Sequence, residues 1–151
     1  MRYFAAVLLI PFAIAASAFA VQIDGKKPKE APKTLDGLEF KVIDISGNSR
    51  FNDKGFIRLE IKNLTDSLVV VDLNNFTAVD IEEHIVKVQP KQMLRNDGME
   101  MVSDRVFEPI RKVKAGKTLK ETVPFIGPLV TIKEKPVKLY WGNILLFEIY
   151  D

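Results

Sequence analysis

The chain has 151 residues, with 22 Lys and Arg against 20 Asp and Glu, a single His and no Cys. This length suits one domain with short additional segments. Without Cys, the chain cannot form a disulfide scaffold, a Cys-based zinc site, an iron–sulfur cluster or a cysteine nucleophile. The net charge of +2 argues against binding through overall charge to nucleic acid, so we expect no nucleic-acid partner.

The first twenty residues have the parts of a secretory signal peptide. One positive charge, at Arg2, precedes an uncharged apolar run over residues 4–16, and Ala18-Phe19-Ala20 supplies the small-x-small pattern that signal peptidase cleaves. The alternative is an uncleaved anchor, because residues 3–21 are nineteen uncharged residues, enough to span a bilayer. The small residues Ala18 and Ala20 favour cleavage.

Cleavage after Ala20 leaves a mature chain that begins at Val21. No Cys follows the cleavage point, so the residue that a bacterial lipoprotein anchor requires is missing. We therefore expect a periplasmic or extracellular protein with no stable membrane anchor after cleavage.

The segment over residues 21–35 is predicted to be a flexible linker. It contains two Pro and four Lys with few large apolar side chains, a composition typical of an extended, solvated segment. The globular domain is then expected to span residues 36–151.

Within this domain, apolar residues recur with a period of two rather than 3.6. Residues 57–62 alternate apolar and charged side chains, which predicts a half-buried strand. A change of phase in the preceding alternation predicts a bulge near Val42. The nearly continuous apolar run over residues 68–73 predicts a more buried strand.

Later segments repeat this pattern. Residues 82–84 are polar and separate two apolar stretches, which predicts a hairpin connection, and Gly142-Asn143 predicts a tight turn between the last two strands. In total, eight or nine short strands are expected, with turn signals about every ten residues. This spacing predicts an antiparallel β-sandwich or barrel.

One stretch of the sequence resembles a known family. Residues 56–85 run from an alternating strand through Asn63-Leu64-Thr65-Asp66 to a second strand, and then through Asn75-Phe76 and Val79-Asp80 to a polar turn. This order resembles the telokin-like, immunoglobulin-like extracellular family of bacteria. The resemblance covers roughly residues 36–150 and implies an all-β, immunoglobulin-like antiparallel sandwich that faces the cell envelope.

The resemblance implies no catalytic residue, because the matching motifs are turn and core residues. The chain also departs from the family's pattern. Glu82-Glu83-His84 stands where the family commonly has a Gly after Asp80, and the lipoprotein Cys of many members is missing.

A group of methionines offers the best candidate for a metal site. Met93, Met99 and Met101 fall within nine residues, and thioether sulfurs are ligands for copper(I), with His84 as a candidate nitrogen ligand. The alternative is that these side chains only fill gaps under a long loop. Copper is thus the single cofactor that the sequence raises; otherwise none is expected.

Enzymatic motifs are not found. Gly116-Lys117-Thr118 resembles the end of a phosphate loop, but Arg111 stands where that loop needs its first Gly. His84 is the single His, and the sequence contains no Gly-x-Ser-x-Gly elbow. We therefore expect a protein that is not an enzyme, with a hydrolase as the least favoured alternative.

Aromatic residues near the last turn suggest a binding surface. Trp141 is in phase with Val137 and Leu139 and is predicted to lie in the core, whereas Tyr140 and Tyr150 are candidates for a surface that contacts a partner. The leading hypothesis is a non-catalytic module that binds an envelope protein of unknown identity, with an exposed edge strand as one means of recognition.

Overall fold

A computed structural model of the chain describes residues 20–24, 31–46, 54–89 and 107–151. These residues form eleven strands and one short 3-10 turn, and none of them belongs to a helix long and apolar enough to cross a membrane. The strands are β1 (Val21–Asp24), β2 (Lys33–Leu35), β3 (Leu38–Ser46), β4 (Lys54–Asn63), β5 (Val69–Asp72), β6 (Phe76–Val79), β7 (Ile85–Lys87), β8 (Ile110–Val113), β9 (Thr118–Ile126), β10 (Val137–Trp141) and β11 (Ile144–Tyr150).

The strands form two sheets and a separate two-stranded ribbon. The first sheet has the order β1-β11-β10-β6-β7, the second has the order β2-β3-β4-β9, and the ribbon pairs β5 with β8. All strand pairs are antiparallel except β1 with β11, which is parallel. The predicted all-β antiparallel sandwich is confirmed, with eleven described strands in place of the expected eight or nine.

The core lies between the inner faces of the two sheets. Along β4, Ile57 is buried and Arg58 is exposed, as the alternation predicts. Three rings join the sheets: the centroid of Trp141 in β10 lies 5.1 Å from that of Phe40 in β3 and 4.8 Å from that of Phe76 in β6. Trp141 packs against the core, in agreement with its predicted position.

The structure also contains the predicted bulge and the predicted hairpin. The register of β3 against β4 shifts between Val42 and Asp44, which confirms the bulge near Val42. Strands β6 and β7 form the predicted hairpin. Beyond β7, Val88 forms an isolated bridge with Phe125 of β9, so an edge of the first sheet meets an edge of the second.

The prediction of a flexible linker over residues 21–35 was wrong at both of its ends. At the first end, β1 pairs with β11, and Ile23 is only 5 % exposed. The reason is that Val21 and Ile23 alternate with two polar residues, a strand pattern that the Lys- and Pro-rich composition of the whole segment conceals.

At the second end, β2 pairs with β3 through a two-residue turn. Asp36 and Gly37 both have positive φ, 50° and 75°, which is the geometry that makes Asp-Gly a favoured hairpin turn. The Nζ of Lys33 in β2 donates a hydrogen bond of 2.8 Å to the carbonyl oxygen of Leu145 in β11. This bond connects the second sheet to the first.

Candidate interaction surface

The ribbon of β5 and β8 has one buried face and one exposed face. In its register Val71 lies opposite Arg111 and Val69 opposite Val113, and Val71 and Val113 are buried in the core. The side chains between them point outward, because successive residues of a strand alternate between its two faces.

The outward face carries large apolar side chains. Leu68, Val70 and Ile110 are 53 %, 56 % and 51 % exposed. Val70 lies opposite Lys112, and Asp72 lies opposite Ile110. The prediction of a more buried strand over residues 68–73 is therefore only half right, because every second side chain of that run faces outward.

Three contacts stabilise the ribbon, and the second of them joins it to the sandwich. The Leu73 amide donates to the carbonyl of Pro109, at 2.9 Å, where β8 begins. The Nε of Arg111 in β8 lies 2.9 Å from Glu121 Oε2 of β9, and both side chains are largely buried. The carboxylate of Asp72 accepts from the Asn74 amide at 3.0 Å and caps the 3-10 turn that follows β5.

The fully buried Asn63 fixes the other end of the ribbon. Its Nδ2 donates to the carbonyl oxygens of Ser67 and Val113, at 2.7 and 2.9 Å. Its Oδ1 accepts from the amide and the hydroxyl of Thr65, at 2.9 and 2.7 Å. The side chain thus uses both of its donors and both acceptor positions, and it joins the end of β4, the loop before β5 and the end of β8.

A shallow hollow of about 260 Å³ lies beside the ribbon, between β8 and β9. Lys112, Lys114 and Lys117 line it together with the less polar Val113 and Leu119 and the hydroxyl-bearing Thr118. Within the described part of the chain, none of these three lysines forms an ion pair. The hollow is therefore positively charged and adjoins the apolar outward face of the ribbon.

The candidate metal ligand His84 lies in the β6–β7 hairpin. Its side chain is 69 % exposed, with Nδ1 3.2 Å from Asp80 Oδ2 and 3.7 Å from Glu82 Oε2. The Oδ1 of Asp80 also accepts from the amides of Glu82 and His84, at 2.9 and 2.8 Å. These contacts stabilise the hairpin.

The methionines of the copper hypothesis, Met93, Met99 and Met101, lie outside the described residues. Among the described residues, no three His, Asp or Glu side chains are grouped in a way that could hold a metal ion. Copper binding stays a prediction, which copper(I) titration of a Met99→Leu, Met101→Leu variant tests.

The tyrosines proposed as a partner surface are half-buried and lie on interior strands. Tyr140 is on β10, between β6 and β11, and Tyr150 is on β11, between β1 and β10. Neither therefore belongs to an edge strand. At the N-terminus, the predicted cleavage residue Ala18 lies outside the described residues, and Ala20 directly precedes β1.

The exposed apolar residues and the lysines beside them were not predicted from the sequence. A continuous apolar run marks a strand but does not tell whether both faces are covered. The available signal was the alternation of Ile110, Lys112 and Lys114 with Arg111 and Val113, which places one apolar and two basic side chains on a single face.

No protein-family model and no curated protein matches the chain. Among solved structures, the fold is similar to that of MPT63, a secreted protein from Mycobacterium tuberculosis, with a TM-score of 0.54 and 14 % sequence identity over 89 % of this chain and 100 % of that one. The yjhA protein from Bacillus subtilis gives a TM-score of 0.48 and 13 % identity over 80 % of this chain and 79 % of that one. The similarity to MPT63 places the chain among all-β sandwich proteins.

Proposed function

We propose that this protein is a non-catalytic, exported β-sandwich module that binds another protein of the cell envelope through the outward face of the β5–β8 ribbon. The observation that carries the proposal is that Val70 and Ile110, on the outward face of the ribbon, and Leu68, directly before β5, are each more than half exposed. Grouped apolar side chains of this kind, bordered by charges, are typical of protein–protein contact sites.

Covering these three side chains would contribute to the free energy of binding. Full burial of a Val, Leu or Ile side chain contributes about 1.5–3 kcal/mol, so covering the exposed half of each contributes about 1 kcal/mol. Three such residues give about 3 kcal/mol, or roughly a hundredfold in affinity. The buried Asn63 and the Arg111–Glu121 pair hold the ribbon in place, which lowers the entropic cost of binding.

The export part of the proposal is supported by the sequence of residues 1–20, which has the order of a signal peptide. A periplasmic or extracellular location and membership of the telokin-like family belong to the same proposal. The secreted neighbour MPT63 is consistent with it. Processing is tested by N-terminal sequencing of the exported protein, which should begin at Val21 if Ala18 and Ala20 direct cleavage.

Site-specific photocrosslinking in cells tests the binding surface. A benzophenone amino acid replaces Val70 in one variant and Ile85 in a matched control, because Ile85 is also strongly exposed but lies on the first sheet. We expect a discrete adduct from position 70 that disappears when Ile110→Glu is added, and none from position 85. Equal adducts from both positions, or an adduct that Ile110→Glu leaves unchanged, would overturn the proposal.

The Ile110→Glu change must act on binding and not on folding. Because Ile110 is half exposed, its replacement is expected to change the free energy of unfolding by less than about 0.5–1 kcal/mol. Urea denaturation of the variant measures this, with Val71→Glu as the contrasting case, since Val71 is fully buried and a charge there should prevent folding.

A further inference from the structure

The basic hollow continues the apolar face of the ribbon. Ile110 and Lys112 alternate with Arg111 along β8 and so share its outward face. Lys112 and Lys114 also line the hollow, together with Lys117 from the turn before β9. One surface therefore runs from apolar side chains on β5 to ammonium groups between β8 and β9.

The positive charge of the hollow has no internal compensation in the described residues. Nearby cations do have partners: Lys120 Nζ lies 3.0 Å from Glu60 Oε1, and Arg111 pairs with Glu121. No such contact is formed by the three lysines of the hollow within the described ranges. Like charges held close together repel one another, and a bound anion relieves that repulsion.

We infer that the partner presents an extended acidic segment, whose apolar side chains cover Leu68, Val70 and Ile110 and whose Asp or Glu carboxylates enter the lysine-lined hollow. This inference rests on the proposed function and names the chemistry of its partner. The hollow, of about 260 Å³, has room for one or two carboxylate side chains.

The same surface is poorly suited to an anionic membrane. Asp72 lies opposite Ile110 on the outward face, and the exposed Glu108 precedes Ile110 by two residues. A flat lipid surface would bring both carboxylates against its phosphates, whereas a peptide can place its acidic residues at the lysine end alone. The charge distribution along the ribbon therefore favours a peptide segment.

Selection from a random decapeptide library displayed on phage tests the inference with the exported protein as bait. We expect enrichment of peptides in which two or more Asp or Glu residues follow apolar residues. Their affinity should fall about tenfold in a Lys112→Gln, Lys114→Gln, Lys117→Gln variant, and the loss should shrink in 1 M salt because exposed charge pairs are screened. A matched control replaces Lys87, Lys133 and Lys135 by Gln, which removes the same charge from other exposed positions and should leave affinity unchanged.

The outcomes separate this inference from the proposed function. Suppose that the enriched peptides bind less tightly to the Val70→Glu variant but contain no acidic residues, or bind the triple lysine variant as tightly as the unchanged protein. Either result would overturn the acidic segment, while the ribbon would remain a binding face. Peptides whose affinity changes neither with Val70→Glu nor with the triple lysine substitution would overturn both the acidic segment and the proposed binding face. Binding to phosphatidylglycerol vesicles that the triple lysine variant abolishes, with no peptide enriched, would show a membrane surface in its place.

Discussion

Asn63 and Val113 are fifty residues apart in the chain, and the Nδ2 of Asn63 donates a 2.9 Å hydrogen bond to the carbonyl oxygen of Val113. The bond connects the last residue of β4 to the last residue of β8. It therefore ties the ribbon, which is not part of either main sheet, to the frame of the sandwich.

Replacing Asn63 by Ala should be strongly destabilising. The change removes four side-chain hydrogen bonds and leaves the buried carbonyl of Val113 without this donor. An unsatisfied buried polar group costs about 1–3 kcal/mol, so we expect a total loss of about 2–4 kcal/mol in the free energy of unfolding, measured by urea denaturation. The exposed Asn74 provides the control: Asn74→Ala should cost less than about 0.5 kcal/mol, and similar losses for the two variants would contradict this role of Asn63.

A side chain at Gly37, in the turn before β3, should destabilise the fold. The φ of Gly37 is +75°, and an added Cβ would lie 2.6 Å from Cγ2 of Thr65. Gly116 has a φ of +67° but nothing within 4 Å of such a Cβ, so Gly116→Ala should cost only the conformational strain, about 1 kcal/mol. Gly37→Ala should cost a further amount of about 1–3 kcal/mol from the steric clash.

A second substitution identifies the origin of that difference. Thr65→Ser removes Cγ2 but keeps the hydroxyl that donates to Asn63 Oδ1. In the Gly37→Ala background it should restore most of the steric part of the loss, as measured by thermal or urea unfolding. If Thr65→Ser only adds to the damage, the close approach of Thr65 is not the cause.

β1 should contribute to stability although its composition resembles a linker. Ile23 is buried in the core cluster, and truncating a buried Ile to Ala costs about 2–5 kcal/mol; we expect the lower end because β1 is at the edge of its sheet. Gln22→Ala, at an exposed position of the same strand, should change stability by less than about 0.5 kcal/mol. Equal stability of the Ile23→Ala variant and the wild type would restore the linker interpretation.

Lys33 should make stability depend on pH in the alkaline range. Burial lowers its pKa from the ordinary value of 10.5. Between the folded-state and unfolded-state pKa values the unfolded chain binds more protons, so the free energy of unfolding rises with pH across that interval. The wild type should therefore gain stability relative to Lys33→Met as the pH rises toward 10.5, in urea titrations at pH 8 and above. If the difference in free energy of unfolding between the wild type and Lys33→Met stays constant or decreases as the pH rises, the prediction is refuted.

The amphipathic strands could be predicted because their signal is local. The alternation around Ile57, the bulge near Val42 and the hairpin at residues 82–84 each depend on a few consecutive residues, and the structure has all three. The turn at Asp36-Gly37 had an equally local signal. The Lys- and Pro-rich composition of the segment before it conceals that signal.

The surface depends on pairing between distant segments and could not be predicted in the same way. Whether Val70 faces solvent depends on whether another segment packs over the ribbon, and among the described residues β5 and β8 pair only with each other. Whether Tyr150 is on an edge strand depends on the pairing of β1 with β11. Alternation identifies the two faces of a strand, but it carries no information about which of them another part of the chain covers.

The parallel pairing of β1 with β11 has a consequence for the order of folding. It joins residues as far apart as Gln22 and Glu148, which are 126 positions apart, whereas β10 and β11 form a local hairpin. Because contacts between distant residues require a costly loop closure, they form after local ones. We therefore expect β1 to dock late in folding, and its amides should exchange hydrogen with solvent faster than those of β10 in the native protein.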